Sequence, residues 1–344
     1  MGLRALLYYN QRDIRLEDVA IPVPAPGQVL LRVTDAGLCQ TQINEFIEGP
    51  FIISRKPHKR TGKSIPIITG HEFGGIVEKC GAGVENKNII GSQVAVLPLM
   101  SCGTCYYCKK GSENKCDDMV MIGLLGENGG FAEYACVNIE NIFPVQDRNL
   151  LTFIEPILIA IEAGCKINDI RDHKRICILG AGAIGLSAAA VFRDFFGAEV
   201  VINDILPNRL RRAKLAGFET LEKDKLQREY DIVIDCAGSS SYSKRAALIE
   251  GLDYLIRGGI LLNMGTYFHP VHFIPSYLLI SEQQIITSFS YTKADFQMLP
   301  EVLAKLQVDF SLVIERISLD DIIEGVYYRA EVDMDSFTRL VVVP

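Results

Sequence analysis

Arg175-Ile-Cys-Ile-Leu-Gly180-Ala-Gly182-Ala-Ile184-Gly185, running on to Phe196 and then to Glu199-Val-Val-Ile-Asn-Asp204, is the stretch that decides the fold. Arg175 to Leu179 is a short apolar run and reads as a strand buried on both faces. Ala183 to Phe196 has the spacing of an amphipathic helix, and Glu199 to Ile202 reads as the next strand. Each glycine between strand and helix meets a different need. Gly180 makes the tight turn, Gly182 lets the backbone approach a pyrophosphate, and Gly185 allows close helix–strand packing. The helix N-terminus then offers its positive end to the phosphates. Alone this glycine pattern is weak, but Asp204 ends the following strand 19 residues after Gly185. A carboxylate there accepts from a ribose 2′-hydroxyl and repels a 2′-phosphate, so the expected cofactor is NAD rather than NADP. The rival reading, a structural glycine turn with Asp204 as a helix N-cap, needs two independent features to coincide. Arg209 is placed over the adenine, or on the surface of its helix.

Outward from this unit the alternation continues. Pro207 to Ala216 is helical and Asp231 to Asp235 is a strand; Cys236-Ala-Gly238 and Met264-Gly265-Thr266 form loops at strand ends, where a nicotinamide and its ribose are expected. Strand–helix alternation of this pitch means an α/β fold with a doubly wound parallel sheet. Residues 1 to about 150 have another texture, with short strands at Val29–Val33, Gly75–Glu78 and Val94–Leu97 and a turn at Pro24-Ala-Pro-Gly27. They read as a small β-barrel or sandwich. Ile154 to Cys165 is helical, and the chain from about 290 is mixed, ending in the strand Leu340–Val343.

A length of 344 residues fits two domains of ordinary size, and 49% hydrophobic against 22% charged residues fits a soluble globular chain. The net charge of −7 argues against nucleic acid as a partner. The densest basic stretch, Arg55 to Lys63, is interrupted by Pro57 and Gly62 and reads as a solvated loop. Charged residues from Arg12 to Asp18 come too early for a signal peptide, and no run of about 20 apolar residues suggests a membrane span. The expected compartment is the cytoplasm.

Four cysteines stand in Cys102-Gly-Thr-Cys105-Tyr-Tyr-Cys108, with Cys116 following a turn-rich stretch. Two-residue gaps let neighbouring thiolates converge on one ion, so these residues are expected to hold a structural zinc in a lobe of about 98–118. The competing reading is a pair of disulfides, which suits a secreted chain. Other candidate ligands are Cys39 in Gly-Leu-Cys39-Gln-Thr41, His71 and Glu72 in Gly70-His-Glu-Phe-Gly-Gly75, and Glu155 in Ile-Glu155-Pro. By spacing alone each is as readily a core thiol or a satisfied polar residue.

The chain resembles the zinc-containing medium-chain alcohol dehydrogenases along essentially its whole length. The resemblance is carried by Gly70-His71-Glu72 with Gly75, Gly81 and Val84, by the four-cysteine lobe, by Gly180 to Gly185, and by Asp204. Within that family Glu155-Pro156 and Gly129-Gly-Phe-Ala-Glu-Tyr134 are most similar to the butanediol and sorbitol dehydrogenase branch, and Ser288-Phe-Ser-Tyr-Thr292 leans to the butanediol type. The resemblance implies a GroES-like catalytic domain from residues 1–150 and 290–344, with a Rossmann NAD-binding domain at 151–289. It implies a catalytic zinc on Cys39, His71 and either Glu72 or Glu155, so two zinc ions per chain, and Thr41 as the hydroxyl that passes the alcohol proton on. Cofactor contacts fall to Gly180, Gly182, Ile184, Gly185, Asp204, Arg209 and Gly265. The implied substrate is a small-molecule alcohol or ketone, and the implied assembly a homodimer or homotetramer. Three positions depart from the pattern. Gln42 replaces an Asp that orients the zinc histidine, which predicts a more Lewis-acidic site. Asn44 replaces a relay histidine. Ser290 replaces an arginine that the sorbitol branch uses to hold its polyol. A pocket of Ser290, Phe289, Ile43 and Phe46 then suits a short secondary alcohol, vicinal diol or hydroxyketone. The alternatives are a pathway-dedicated polyol, cyclitol or amino-alcohol dehydrogenase, and a non-catalytic chain that binds NAD and zinc.

Overall fold

A computed structural model describes residues 2–167, 170, 174–238, 245–328 and 339–344. The chain divides into two compact units, one built from the chain up to Glu155 with the C-terminal return that begins at Ile314, the other from Pro156 to Val313.

In the second unit six strands form a parallel sheet in the spatial order Glu219–Thr220, Glu199–Asn203, Arg175–Leu179, Tyr230–Asp235, Leu255–Asn263, Gln284–Thr287. The strand that comes first in sequence lies between the second and the fourth, so the order reverses at Arg175–Leu179. Ligands of open α/β sheets bind outside the carboxyl ends of the strands at such a point. Leu179 pairs with both Asn203 and Asp235, and Asp235 pairs with Asn263, which lines four strand ends up in one row. Ile176, Cys177, Ile178, Val233 and Ile234 are buried, as expected of a sheet covered on both faces. The helix read from the sequence as 183–196 is α-helical over Ala183–Ala190 and then widens into a π-turn at Val191–Phe195. Phe195 and Phe196 pack edge to face there, with centroids 5.0 Å apart.

The first unit carries a seven-stranded sheet centred on Gln28–Gly37, which pairs antiparallel with Glu72–Cys80 on one side and Arg339–Val343 on the other. Gly37 is the register partner of both Glu72 and Val341. Three segments distant in sequence, 37–39, 71–72 and 339–341, therefore end at one corner of the sheet. A separate three-stranded sheet joins Asp13–Ala20, Gly2–Asn10 and Ile67–Ile68.

The boundary expected near 290 lies instead at Val313. The helix Lys293–Lys305 packs on Val191–Phe195, and Phe310–Val313 packs on the helix Pro207–Leu215, which ties both to the parallel sheet. Among the described residues no helix is long and apolar enough to cross a membrane.

Candidate active site and metal centres

The sulfurs of Cys102, Cys105, Cys108 and Cys116 all lie within 4.8 Å of one another. Cys105 and Cys108 are 3.5 Å apart and Cys102 and Cys108 3.9 Å. Four thiolates about 2.3 Å from a tetrahedral zinc sit roughly 3.8 Å apart, whereas a disulfide needs about 2.05 Å. All ten cysteines are free thiols, so the disulfide reading fails and the donor set fits zinc. The turn prepares the sulfurs for ionisation. The Thr104 hydroxyl and the amides of Thr104 and Cys105 donate to Cys102 Sγ, and they pull its pKa down to about 5. Burial pushes Cys116 the other way, up to about 12.

The basic stretch 55–63 is exposed at Arg55, Lys56, Lys59 and Arg60, as expected of a solvated loop, and part of it is also tied to the cysteine lobe. Arg60 donates to Met100 O (2.7 Å) and Asp118 O (3.1 Å), and His58 Nε2 to Met119 O (3.0 Å). Lys59 pairs with Asp118 at 3.0 Å, and the Thr61 hydroxyl reaches Gly126 O. Lys59 and Arg60 thus engage a carboxylate and carbonyls flanking the cysteine turn. Cys108→Ser is expected to remove one zinc per chain and to cost at least about 3 kcal/mol, a fraction of the ~10–16 kcal/mol that structural zinc binding carries. Metal analysis and chemical denaturation of the same preparation check both.

The second cluster forms at the sheet corner. Cys39 is the N-cap of the helix Gln40–Ile47, and its amide donates to Gln42 Oε1 at 2.8 Å, half of a capping box. The Cys39 thiol donates to the Thr41 hydroxyl oxygen at 3.6 Å. Donor atoms of Cys39, His71 and Glu72 converge within 4.8 Å. Glu155, in the first turn of the helix Ile154–Cys165, stands outside that set, yet His71, Glu72 and Cys39 all act on its charge. Burial raises Glu155 to about 8 and Cys39 to about 12. His71 Nδ1, Glu72 Oε1, Glu155 Oε2, Gln42 Nε2 and Thr152 Oγ1 are all buried without a protein partner. Buried polar atoms are normally satisfied, so the orphans on His71, Glu72 and Glu155, three groups that act on one another, point to a polar complement such as an ion and its water. One thiol, one imidazole and one or two carboxylates fit zinc in an open site.

Sequence reasoning missed Arg339. Its guanidinium and Glu72 form an ion pair with both side chains 1% exposed. It also donates to Leu38 O (3.4 Å) and to Thr152 O, and lies over the Phe153 ring at 5.2 Å. One cation thus touches the segments that carry Cys39, His71 and Glu155. A Cβ on Gly37 would overlap this guanidinium, which is why the residue there is glycine. The available signal was a lone arginine heading the apolar strand Leu340–Val343.

Gln42 does not orient His71, because its oxygen is taken by Cys39 N and its amide nitrogen has no partner. Asn44 Oδ1 accepts from Gln40 Nε2 at 3.0 Å. Ile43 and Phe46 are core residues, Phe46 lying edge-on to Tyr327 at 5.2 Å. Ser290 is buried with φ +53°, and Phe289 is exposed.

At the parallel sheet Gly180 has φ +108°, and a Cβ on Gly185 would strike Gly180 O. Gly182 is open: the nearest atom to a Cβ there is Arg209 Nη1 at 4.0 Å. That leaves room for a phosphate between a helix N-terminus and a guanidinium. Asp204 faces the glycine turn, accepting from Ala181 N (2.7 Å) and Leu206 N (2.9 Å). It stabilises the turn, and each oxygen keeps a second lone pair for a ribose hydroxyl. Ile184 is half-buried on the first helical turn, and Gly265 N donates to Asn263 Oδ1 at 3.1 Å.

The profile of the alcohol dehydrogenase GroES-like domain matches residues 25–147. The chain is 27% identical over 344 aligned residues to the (R,R)-butanediol dehydrogenase of Bacillus subtilis, covering 94% of each chain. It is 28% identical to the sorbitol dehydrogenase of the same organism, over 77% of this chain and 75% of that one. The crystal structure of 2R,3R-butanediol dehydrogenase from Bacillus subtilis superposes with a TM-score of 0.83 at 24% identity, covering 100% of both chains.

Proposed function

Because the chain belongs to the zinc-type medium-chain alcohol dehydrogenase family, near its butanediol and sorbitol branch, and is an oxidoreductase acting on CH–OH groups, we propose that it moves a hydride between NAD and a short secondary alcohol, vicinal diol or hydroxyketone. The observation that carries this reading is the convergence of Cys39, His71 and Glu72 beside the buried Glu155. A zinc held by Cys39, His71 and Glu72 or Glu155 supplies Lewis acidity that lowers the pKa of a bound alcohol, and the nicotinamide supplies the hydride chemistry. The chain's own residues do the rest. Arg339 holds the Glu72 carboxylate and the Leu38 and Thr152 carbonyls in register, so the ligand segments cannot drift apart. Thr41, within reach of the thiolate, takes the alcohol proton outward. Asn44 carries no basic group, so the proton leaves from Thr41 without a histidine relay. Ser290 in place of an arginine favours short substrates over sugar alcohols.

Two zinc ions per metal-washed chain, with NAD⁺-dependent oxidation of a vicinal diol, is the expected result. One zinc and no turnover on short diols, secondary alcohols or polyols would overturn the reading. We place the protein in the cytoplasm, since thiolate metal sites need reduced cysteines. We also expect a homodimer or homotetramer, which sedimentation will read.

Asp204 should govern the choice of nucleotide. Asp204→Ser removes a charged acceptor, worth about 1.5–3 kcal/mol, and should shift the NAD-over-NADP preference in kcat/KM by roughly 10- to 100-fold toward NADP. Steady-state kinetics with both nucleotides check it, and an unchanged preference would remove Asp204 from the ribose site.

A further inference from the structure

The loops beyond Asp235 and Asn263 are locked together by a contact that no glycine motif announces. Asp235 is fully buried at its strand end. One carboxylate oxygen, Oδ1, accepts from Ala237 N (2.9 Å) and Gly238 N (3.1 Å), which folds the 236–238 turn. The other accepts from the Tyr267 hydroxyl, which reaches it from the next loop. That hydroxyl in turn accepts from Leu248 N at 2.9 Å. Leu248 lies in the first turn of the helix Ala247–Tyr254, whose N-cap Ala246 offers no side-chain acceptor. One phenol therefore caps that helix, anchors the loop after Asn263 and fixes the turn after Asp235.

Where Gly238 and Gly265 meet, backbone lies against backbone. A Cβ on Gly265 would come 2.6 Å from Gly238 Cα, and one on Gly238, with φ +62°, 2.7 Å from Thr266 O. A Cβ on Gly180 would come 3.0 Å from Ala237 N, so the pyrophosphate turn abuts the same surface. Glycine-to-glycine contact has no side chain to set its spacing, and the side chains that tie the two loops are Tyr267 and Asp235.

We propose that Tyr267, acting through Asp235, is a positioning residue that sets the separation of the 236–238 and 264–266 loops and so shapes the seat of the nicotinamide half of the cofactor. The inference rests on the nucleotide reading above. Its signature is a split between the halves of the dinucleotide. ADP uses only the Gly180–Gly185 turn and the Asp204 side of the sheet, whereas NADH also needs the two tied loops.

Tyr267→Phe removes the hydroxyl and keeps the ring. NADH, followed by its fluorescence, is expected to bind about tenfold more weakly, the size of one lost hydrogen bond to a charged group. ADP, followed by calorimetry, is expected to bind unchanged, and the Gly238 amide to exchange faster with deuterium. Should this variant fail to fold, Asp235→Asn is read by the same split. Equal weakening of ADP and NADH, or NADH affinity equal to that of the unmodified protein, would overturn the inference alone. An unmodified protein that binds neither NADH nor NADPH would overturn the nucleotide reading and this inference with it.

Discussion

Arg339→Met is expected to destabilise the first unit by about 3–5 kcal/mol, the cost of stranding one partner of a buried ion pair. Glu72 and Arg339 are both 1% exposed, so neither can turn to water when the other is removed. The loss extends beyond the pair, because Leu38 O and Thr152 O also give up a charged donor. Arg339→Lys should recover little. An ammonium is a compact charge on a flexible stem and cannot span a carboxylate and two carbonyls as a planar fork does. The double variant Arg339→Met with Glu72→Gln separates pairing from packing. Removing both charges leaves no unpaired ion, so it should be more stable than Arg339→Met alone. Denaturant titrations of zinc-loaded and zinc-stripped protein make the comparison. A single-variant loss below about 1 kcal/mol, the range of exposed pairs, would mean that the guanidinium is replaceable.

That the pair escaped sequence reading has a physical reason. Arg339 and Glu72 are 267 residues apart, and their meeting depends on both flanking the central strand at Gly37. Nothing local encodes such pairing, whereas the glycine turn at 180–185 is local: its apolar strand, its three glycines and its helix are contiguous, and each glycine's reason lies within a few residues. The same contrast explains the other differences. The chain from about 290 reads only as a mixed pattern, which names neither the helix Lys293–Lys305 nor the unit that its apolar side meets, so the boundary is expected near 290 rather than at 313. In 55–63 the charges were visible and their partners were not, since Met100, Asp118 and Met119 carbonyls carry no mark in a sequence. Gln42 is the opposite case. A residue three beyond an N-cap commonly reaches back to the cap amide, but Cys39 is not a usual capping residue, so a local explanation was passed over for a metal-site role.

His71→Ala is expected to lower kcat/KM with a secondary alcohol by about 10³–10⁴, equivalent to roughly 4–6 kcal/mol of lost transition-state stabilisation. The argument runs from the donor set. Cys39 and Glu72 without the imidazole leave two anionic donors in a buried corner with one fewer site to hold zinc in its open geometry. Zinc per chain should fall from two to one, with the metal of the four-cysteine lobe retained. NADH affinity should stay unchanged, because the residues proposed to bind the nucleotide belong to the other unit. Proton release gives a readout independent of turnover. Cys39 is held up at about 12 and Glu155 at about 8, so both are protonated at pH 7 in the zinc-free site. Zinc drives the thiol to thiolate and the carboxyl to carboxylate, so uptake at this cluster should expel close to two protons per ion. Affinity should accordingly rise as pH rises toward 8 and beyond. Calorimetry in buffers of different ionisation enthalpy counts those protons, and His71→Ala should abolish the release. A His71→Ala protein that keeps two zinc ions and most of its turnover would show that Cys39, Glu72 and Glu155 suffice, and the imidazole would lose its place as a ligand.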